Sequence, residues 1–335
     1  MCVISKQLLI FVTMRKTLTI IICMCCLAAF ALADLLMGDV HVDLFHPDAM
    51  GRTLLLDFRL PRVVTAILAG AGLSLSGLQM QSVFRNPLAD PHIMGVSAGA
   101  GFGAALVSMA IPATGVAALS THLGTSLAAM IGAAVSSLVI ILISRRFSDS
   151  STMLVFGVLL GYIFSAASSV ISYFASARDL KAFYSWSAGS FSANPWSAVA
   201  LLAVILIIAI ALAVINLHAL DVLLFGDEYA RLGGLDVKRS RIISIVSCCV
   251  FTGTATALCG PLGFVGIISP HIARTLTGSS VHRNIILPVM LVGSAICLAA
   301  DVISLSWSIP LPVGSTMSLI GIPVVLYILL KSRNA

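Results

Sequence analysis

The sequence predicts an all-α, polytopic membrane protein with about ten transmembrane helices. Hydrophobic residues make up 59% of the 335 residues, charged residues only 10%, and the mean hydropathy is +1.09. A typical soluble domain is about a quarter charged. The apolar runs are long and continuous rather than alternating, and this pattern favours spanning helices over the strands of a barrel.

The predicted spans follow one another along nearly the whole chain. A helix needs about 20 apolar residues to cross about 30 Å of hydrocarbon. By this measure the spans lie at residues 17–37, 61–84, 93–111, 119–143, 152–175, 196–217, 240–259, 262–275, 284–305 and 314–330. The eighth run is too short for a full crossing and is bracketed by Pro261 and Pro270, so we expect a broken or partial span there.

The N-terminal end allows two interpretations. Arg15 and Lys16 precede the first apolar run, and Ala31-Leu32-Ala33 resembles the cleavage site of a secretory signal. We expect instead a signal anchor that is kept as the first span. The chain then divides into a cytoplasmic segment, 1–16, and a single transmembrane domain, 17–335. A start at Met1 or at Met14 remains open.

The basic residues predict the orientation in the membrane. With the N-terminus inside and ten crossings, the inner segments hold fourteen Lys and Arg residues and the outer segments hold five. The outer five are Arg52, Arg59, Arg62, Arg178 and Lys181. This imbalance predicts that both termini are cytoplasmic. Basic residues beside anionic lipid also account for most of the net charge of +6, so membrane lipid is an expected partner and nucleic acid is not.

A sharp turn separates the second and third spans. The turn contains Asn86-Pro87 followed by Asp90-Pro91, and proline interrupts a helix because it has no backbone N–H to donate. The order of helix, proline break and helix recurs at residues 253–274. Because the two copies would cross the membrane in opposite directions, we expect an inverted internal repeat, which is common in transporters.

Three glycines follow that turn at regular spacing. Gly95, Gly99 and Gly103 form two consecutive G-x-x-x-G steps on the third span. Small residues at this spacing let two membrane helices approach closely. We therefore predict helix packing for these glycines, with the lining of a wide pathway as the functional alternative.

Two functional classes find little support in the residues. The chain lacks the G-x-x-x-x-G-K-[ST] motif of a P-loop, shows no nucleophile and base pair, and suggests no metal site. We therefore predict no enzyme and no cofactor bound by this chain. An ion-coupled secondary transporter that works without an ATPase would need a titratable group within the membrane, and Asp301 is the main candidate for it.

Two charged segments could bind protein partners. Arg59 and Arg62 precede the second span on the outer side, either as interfacial anchors or as a positive site for an acidic partner. The longest inner loop, 218–241, contains GDEYARLGG. Its acidic start and Gly-Gly end favour a short exposed helix, which suits docking to a cytoplasmic partner.

Six motifs in order give the chain a strong resemblance to the FecCD-type permease subunits of type II ABC importers, which take up iron-siderophores, heme and cobalamin. They are RLPR (59–62), NPLADP (86–91), GVSAGAG (95–101), the GDEYARLGG loop, GFVGIISPHIAR (263–274) and LPVGSTMSLIGIP (311–323). The resemblance implies a homodimer in the bacterial inner membrane, two cytoplasmic ATPase subunits that bind ATP and Mg, and a periplasmic or lipid-anchored binding protein.

The resemblance also implies roles for individual residues. Arg59 and Arg62 would receive acidic residues of the binding protein, and the fifth and tenth spans would line the path. Ser150 and Ser151 lie where the family places its cytoplasmic gate. The coupling helix that contacts the ATPase would comprise Gly226, Asp227, Glu228, Ala230, Arg231, Gly233 and Gly234.

The chain departs from the family pattern at two positions. Leu305 and Pro310 stand where many members have an arginine and a glutamate. A third docking arginine is therefore in doubt. The cargo, whether an iron-siderophore, heme or cobalamin, also stays open, because selectivity in this family belongs mainly to the binding protein.

Overall fold

The computed structural model describes residues 2–38, 48–110, 122–147, 150–192, 194–307 and 309–333. This described part is almost entirely helical and contains no strand. Its helices are α1 Cys2–Leu36, α2 Ala49–Thr53, α3 Leu60–Phe84, α4 Val96–Ala105, α5 His122–Arg146, α6 Ser150–Phe174, α7 Ala177–Ser187, α8 Trp196–Ile215, α9 Leu217–Leu223, α10 Asp227–Leu232, α11 Val237–Cys259, α12 Val265–Thr277, α13 His282–Leu305 and α14 Val313–Arg333.

The predicted fold class is confirmed, and every predicted span has a helical counterpart. Seven described helices are long and apolar enough to cross a membrane. Two shorter apolar helices, Val96–Ala110 and Val313–Ile328, correspond to the third and tenth predicted spans. The eighth corresponds to α12, whose 13 residues extend about 20 Å and therefore do not reach across the hydrocarbon.

Two predicted boundaries differ from the structure. Helix α1 runs unbroken from Cys2 across residues 16 and 17, so the division into a cytoplasmic segment and a membrane domain there stays a prediction. Pro270 does not end α12 but lies within it. The helix of the second span begins before residue 61, because α2 continues through a wider π-helical turn, Leu54–Arg59, directly into α3.

Helix α3 lies at the centre of the bundle, where small residues allow close contact. Its most apolar window is 83% buried. A Cβ added at Gly70 would lie 2.3 Å from the carbonyl oxygen of Gly293 on α13, and one at Gly77 would lie 2.0 Å from that of Gly266 on α12. No side chain fits at these distances, so glycine sets the spacing of the three helices.

The helix contacts follow the same pattern in the two halves of the chain. Helix α3 packs on α13 as α11 packs on α5, and α4 packs on α5 as α12 packs on α13. Both breaks also contain a non-glycine residue with positive φ, Arg85 at 49° and Phe264 at 70°. These matched contacts agree with an internal repeat, whose inversion across the membrane stays a prediction.

Candidate functional site

The end of the bundle at which α3 begins contains a buried cluster of charges. Arg62 of α3 contacts two carboxylates, Asp34 of α1 and Asp301 of α13. Its Nη2 donates to Oδ1 of Asp34 and, at 2.7 Å, to the backbone carbonyl of the same residue. Its Nε lies 3.3 Å from Oδ2 of Asp301 as an ion pair without hydrogen-bond geometry. Arg62 therefore connects three spanning helices.

Arg59 lies one turn earlier and is also buried. Its side chain donates from Nη1 to the carbonyl oxygen of Leu35 at 2.8 Å, at the end of α1. Gly38 lies against the same guanidinium, since a Cβ there would be 2.8 Å from Nη2. The exposed fractions of Arg59 and Arg62 are only 6% and 8%, which differs from the expected outward-facing pair. Sequence reasoning missed Asp34, which ends an apolar run and shows no local signal of its distant partner.

The turn between α3 and α4 is stabilised by side chains that mimic backbone contacts. Asn86 Oδ1 accepts the N–H of Leu88 at 2.9 Å, and Asp90 Oδ1 accepts the N–H of His92 at 2.8 Å. Pro87 lies within this turn, after Arg85 has ended α3 in the left-handed region. The sequence prediction of a sharp break here therefore agrees with the backbone.

The glycines of the third span lie against other helices. A Cβ on Gly99 would be 2.7 Å from the carbonyl oxygen of Gly132 on α5, and one on Gly103 would be 2.1 Å from that of Ala128. Gly95 has φ +82° and precedes α4, and its carbonyl accepts the hydroxyl of Ser136 at 2.9 Å. The structure thus places all three at close helix contacts.

The predicted coupling segment folds as two short helices, α9 and α10, before the long helix α11. Gly226 is the N-cap residue before α10 and has φ +110° and ψ 157°, a conformation that is essentially restricted to glycine. Asp227 forms a salt bridge of 2.9 Å with Arg241 of α11. Ala230 is fully buried in a small apolar cluster with Leu223 and Val237. The segment is therefore a packed element and not a free loop.

One edge of this segment is exposed and apolar. Phe225, Tyr229 and Leu232 are exposed by 74%, 61% and 88%. Glu228 and Arg231 lie on the same short helix and are also exposed. An apolar edge rimmed by charges is typical of a protein contact surface.

The end of α10 follows the predicted glycine stop. Gly233 caps the helix, and Gly234 takes a positive φ of 80° while its N–H donates to the carbonyl of Arg231 at 2.9 Å. Leu235 closes the turn by donating to Ala230 at 3.0 Å. This arrangement satisfies the free carbonyl groups at the end of the helix.

A buried hydrogen-bond chain next to this segment was not predicted. Asp221 of α9 accepts from the backbone N–H of His282 at 2.9 Å and lies 2.6 Å from its Nδ1. The other ring nitrogen, Nε2, lies 2.7 Å from the hydroxyl of Ser82 on α3. Ser82 is fully buried, so this Ser-His-Asp order does not offer a nucleophile to a substrate. Its three members come from separate regions of the sequence.

The predicted gate falls at the start of α6. Ser150 is the first residue of this helix, and Ser151 is exposed. Further along α6, hydroxyl groups recur at helical spacing on an exposed face, at Tyr162, Ser165, Ser169 and Tyr173. Only 6% of the most apolar window of α6 is buried. One face of this apolar helix therefore presents hydroxyl groups outward.

A cavity lies between the end of α7 and α14. Its volume is about 670 Å³ and its lining is mainly apolar with three serines. The serines are Ser187, Ser315 and Ser318. Such a cavity is in the size range of small-molecule sites in proteins.

The fold and these end sites define an all-helical membrane transport protein. The chain belongs to the FecCD transport family, whose model matches residues 18–331. A solved structure described as an inward-facing conformation of a metal-chelate type ABC transporter has a TM-score of 0.83 and 26% identity, covering 93% of this chain and 98% of that chain.

Three relatives show the range of the family. The vitamin B12 import system permease protein BtuC of Klebsiella pneumoniae is 35% identical and covers 85% of each chain. The hemin transport system permease protein HmuU of Yersinia pestis is 32% identical over 83% of this chain and 84% of its own length. The Fe(3+)-citrate import system permease protein YfmE of Bacillus subtilis is 33% identical over 94% and 95%.

Proposed function

We propose that this chain is the membrane-spanning permease subunit of an ATP-driven importer for a metal chelate. The observation that carries the proposal is the exposed apolar edge of α10, which a well-packed segment presents. The match of the family model to residues 18–331 supports it. Two copies of the chain form the pathway, and two cytoplasmic ATPase subunits bind ATP and Mg and contact this edge. The membrane is the bacterial inner membrane, with both termini cytoplasmic.

We assign the pathway to exposed faces of α6 and α14, which would enclose it together with the same faces of a second copy of the chain. The hydroxyl groups of α6 and the serines near α14 suit a polar ligand better than lipid. The resemblance had placed the fifth and tenth spans on this path, and these spans correspond to α6 and α14. Ser150 and Ser151 form the cytoplasmic gate in this proposal.

The outer end receives a ligand-loaded binding protein. Arg59 supplies positive charge for its acidic residues, and Arg62 holds the helix ends on which that surface is built. This divides the docking role that resemblance gave to both arginines, because Arg62 is already engaged by two carboxylates.

The cargo class is a corrin, a porphyrin or a ferric chelate. The three relatives named above handle vitamin B12, hemin and ferric citrate at similar identity, between 32% and 35%. Similarity to this chain therefore does not choose between them. An ion-coupled carrier remains the alternative, but Asp301, the carboxylate on which it depends, is paired with Arg62.

The ATPase contact is tested with Tyr229→Ser and Leu232→Ser on the exposed edge of α10. The complex is reconstituted with its ATPase and binding protein, and two quantities are measured: the amount of ATPase that co-purifies with the permease, and ATP hydrolysis with and without hemin, cyanocobalamin or ferric citrate. Both variants are expected to lose ATPase binding while the permease stays folded, since the side chains touch solvent. Ile207→Ser, at an exposed position of α8, is the matched control. Undiminished ATPase binding by both α10 variants would contradict the proposal.

A further inference from the structure

We infer that Asp221, His282 and Ser82 form the mechanical link through which movement of the α9–α10 segment reaches helices α3 and α13. The inference rests on the proposed function and deepens it. The segment itself has a known contact to α11 through Asp227 and Arg241. What carries the inference is a second, buried attachment of the same segment to two other spanning helices.

The first half of the link joins α9 to α13 at two points. Asp221 Oδ1 accepts the backbone N–H of His282 at 2.9 Å and lies 2.6 Å from Nδ1 of the same residue. A carboxylate only accepts hydrogen bonds, so Nδ1 carries a proton and donates. One carboxylate thus fixes both the first turn of α13 and the orientation of its histidine ring.

The second half of the link joins α13 to α3. Nε2 of His282 lies 2.7 Å from Oγ of Ser82, which also contacts the carbonyl of Leu78 at 3.0 Å within α3. His282 and Ser82 are both fully buried, and the side chain of Asp221 is 29% exposed. Hydrogen bonds in such a water-poor place are short, directional and costly to break. A displacement of α9 is therefore passed to the ring and from the ring to α3.

The position of the link explains why it would matter for transport. Asp221 lies on α9, and Gly226, the N-cap residue of α10, is five residues further on. Ser82 is close to the end of α3, the central helix of the bundle. Coupling between distant sites is carried by packed side chains and hydrogen-bond networks on rigid elements. Burying polar groups is unfavourable unless each finds a partner, so side chains that only filled space here would be expected to be apolar.

Three variants break the link at different points. His282→Asn keeps a donor near the place of Nδ1 and loses the contact with Ser82. His282→Gln reaches toward Ser82 and loses the side-chain contact with Asp221, while the backbone N–H of residue 282 keeps its own contact. Ser82→Ala removes only the hydroxyl and creates little space, so it decides the matter if the histidine variants fail to fold. His218→Asn is the control, because His218 is exposed on the same helix α9.

The readout is the number of ATP molecules hydrolysed for each ligand transported. It is measured in proteoliposomes with the ATPase and binding protein, using whichever of hemin, cyanocobalamin or ferric citrate the wild type transports. We expect the ratio to rise roughly threefold or more in the three link variants and to stay at the wild-type value in His218→Asn. A purely structural role would lower the melting temperature and leave the ratio unchanged.

The outcomes separate this inference from the proposed function. Wild-type transport with unchanged ratios in all link variants would overturn the link alone. Failure of the wild-type complex to transport any of the three probes would overturn the proposed function and the link with it.

Discussion

Arg62 of α3 and Asp301 of α13 form a buried ion pair in which Nε and Oδ2 are 3.3 Å apart. The same guanidinium binds Asp34 of α1, so one cation is shared by two carboxylates on two helices. Arg59, one turn away, supplies the second positive charge of the cluster. Arg62, one of the two arginines expected at a docking site, therefore also holds the ends of three helices together.

Removing the cation from this cluster is expected to destabilise the protein strongly. Arg62→Ala removes the cation that Asp34 and Asp301 share, and breaking a buried pair in this way costs about 3–5 kcal/mol. The measurement is the free energy of unfolding in detergent. Arg178→Ala, at an exposed arginine, is the control. A loss no larger than that of the control would show that the cluster does not stabilise the helix ends.

Arg59 is expected to matter for binding-protein affinity. It donates to a backbone carbonyl, and Arg59→Gln can keep that hydrogen bond while it removes the charge. We predict a binding constant for the binding protein that weakens by about tenfold, since charged contacts at interfaces are worth a few kcal/mol. The affinity is measured by passing the binding protein over surface-immobilised permease at two salt concentrations. Equal affinity for the variant and the wild type would remove Arg59 from the docking surface.

Gly226 is expected to be the most sensitive glycine of the coupling segment. Gly226→Ala forces a side chain into a backbone conformation that costs about 1–3 kcal/mol and places it 3.2 Å from the Arg85 guanidinium. Ligand-stimulated ATP hydrolysis should fall while the spanning helices stay intact by circular dichroism. Gly233→Ala is the matched variant, since Gly233 has φ −74° and a Cβ there would meet its nearest neighbour at an ordinary contact distance of 3.5 Å. The account is wrong here if both variants behave alike.

Two glycines on α4 give an internal comparison of packing. Gly103→Ala meets the carbonyl of Ala128 at 2.1 Å, whereas Gly101→Ala meets nothing within 4 Å. We expect the first to lower the free energy of unfolding by about 1–3 kcal/mol through overpacking. The second should raise it by about 0.5–1 kcal/mol, because alanine favours helix. Melting curves in one detergent decide the order, and a reversed order would contradict the helix contact.

The parts of the fold that depend on local pattern could be predicted from the sequence. Ten apolar runs gave ten helical counterparts, because an apolar run of spanning length is a local signal that the sequence carries by itself. The glycine spacing of Gly99 and Gly103 repeats with the period of a helix, and both glycines lie against α5. The stop at Gly233 and Gly234 followed from turn chemistry. The continuation of α12 through Pro270 did not, since Pro270 lies in the middle of the helix and the carbonyl of Gly266, four residues earlier, accepts from Gln81 Nε2 at 3.3 Å instead.

The contacts that join distant parts of the chain could not be predicted. Asp34 and Arg62 are 28 residues apart, and His282 and Ser82 are 200 residues apart. Nothing near Asp34 or His282 in the sequence signals these partners. A buried ion pair or hydrogen-bond chain depends on which helices become neighbours, and one sequence does not specify that.

The most direct test is uptake in proteoliposomes that contain this chain. With its ATPase, its binding protein and internal ATP, the account predicts accumulation of hemin, cyanocobalamin or ferric citrate that stops when ATP is replaced by a non-hydrolysable analogue. Accumulation by the chain alone in ATP-free vesicles, driven by a proton or sodium gradient, would contradict it.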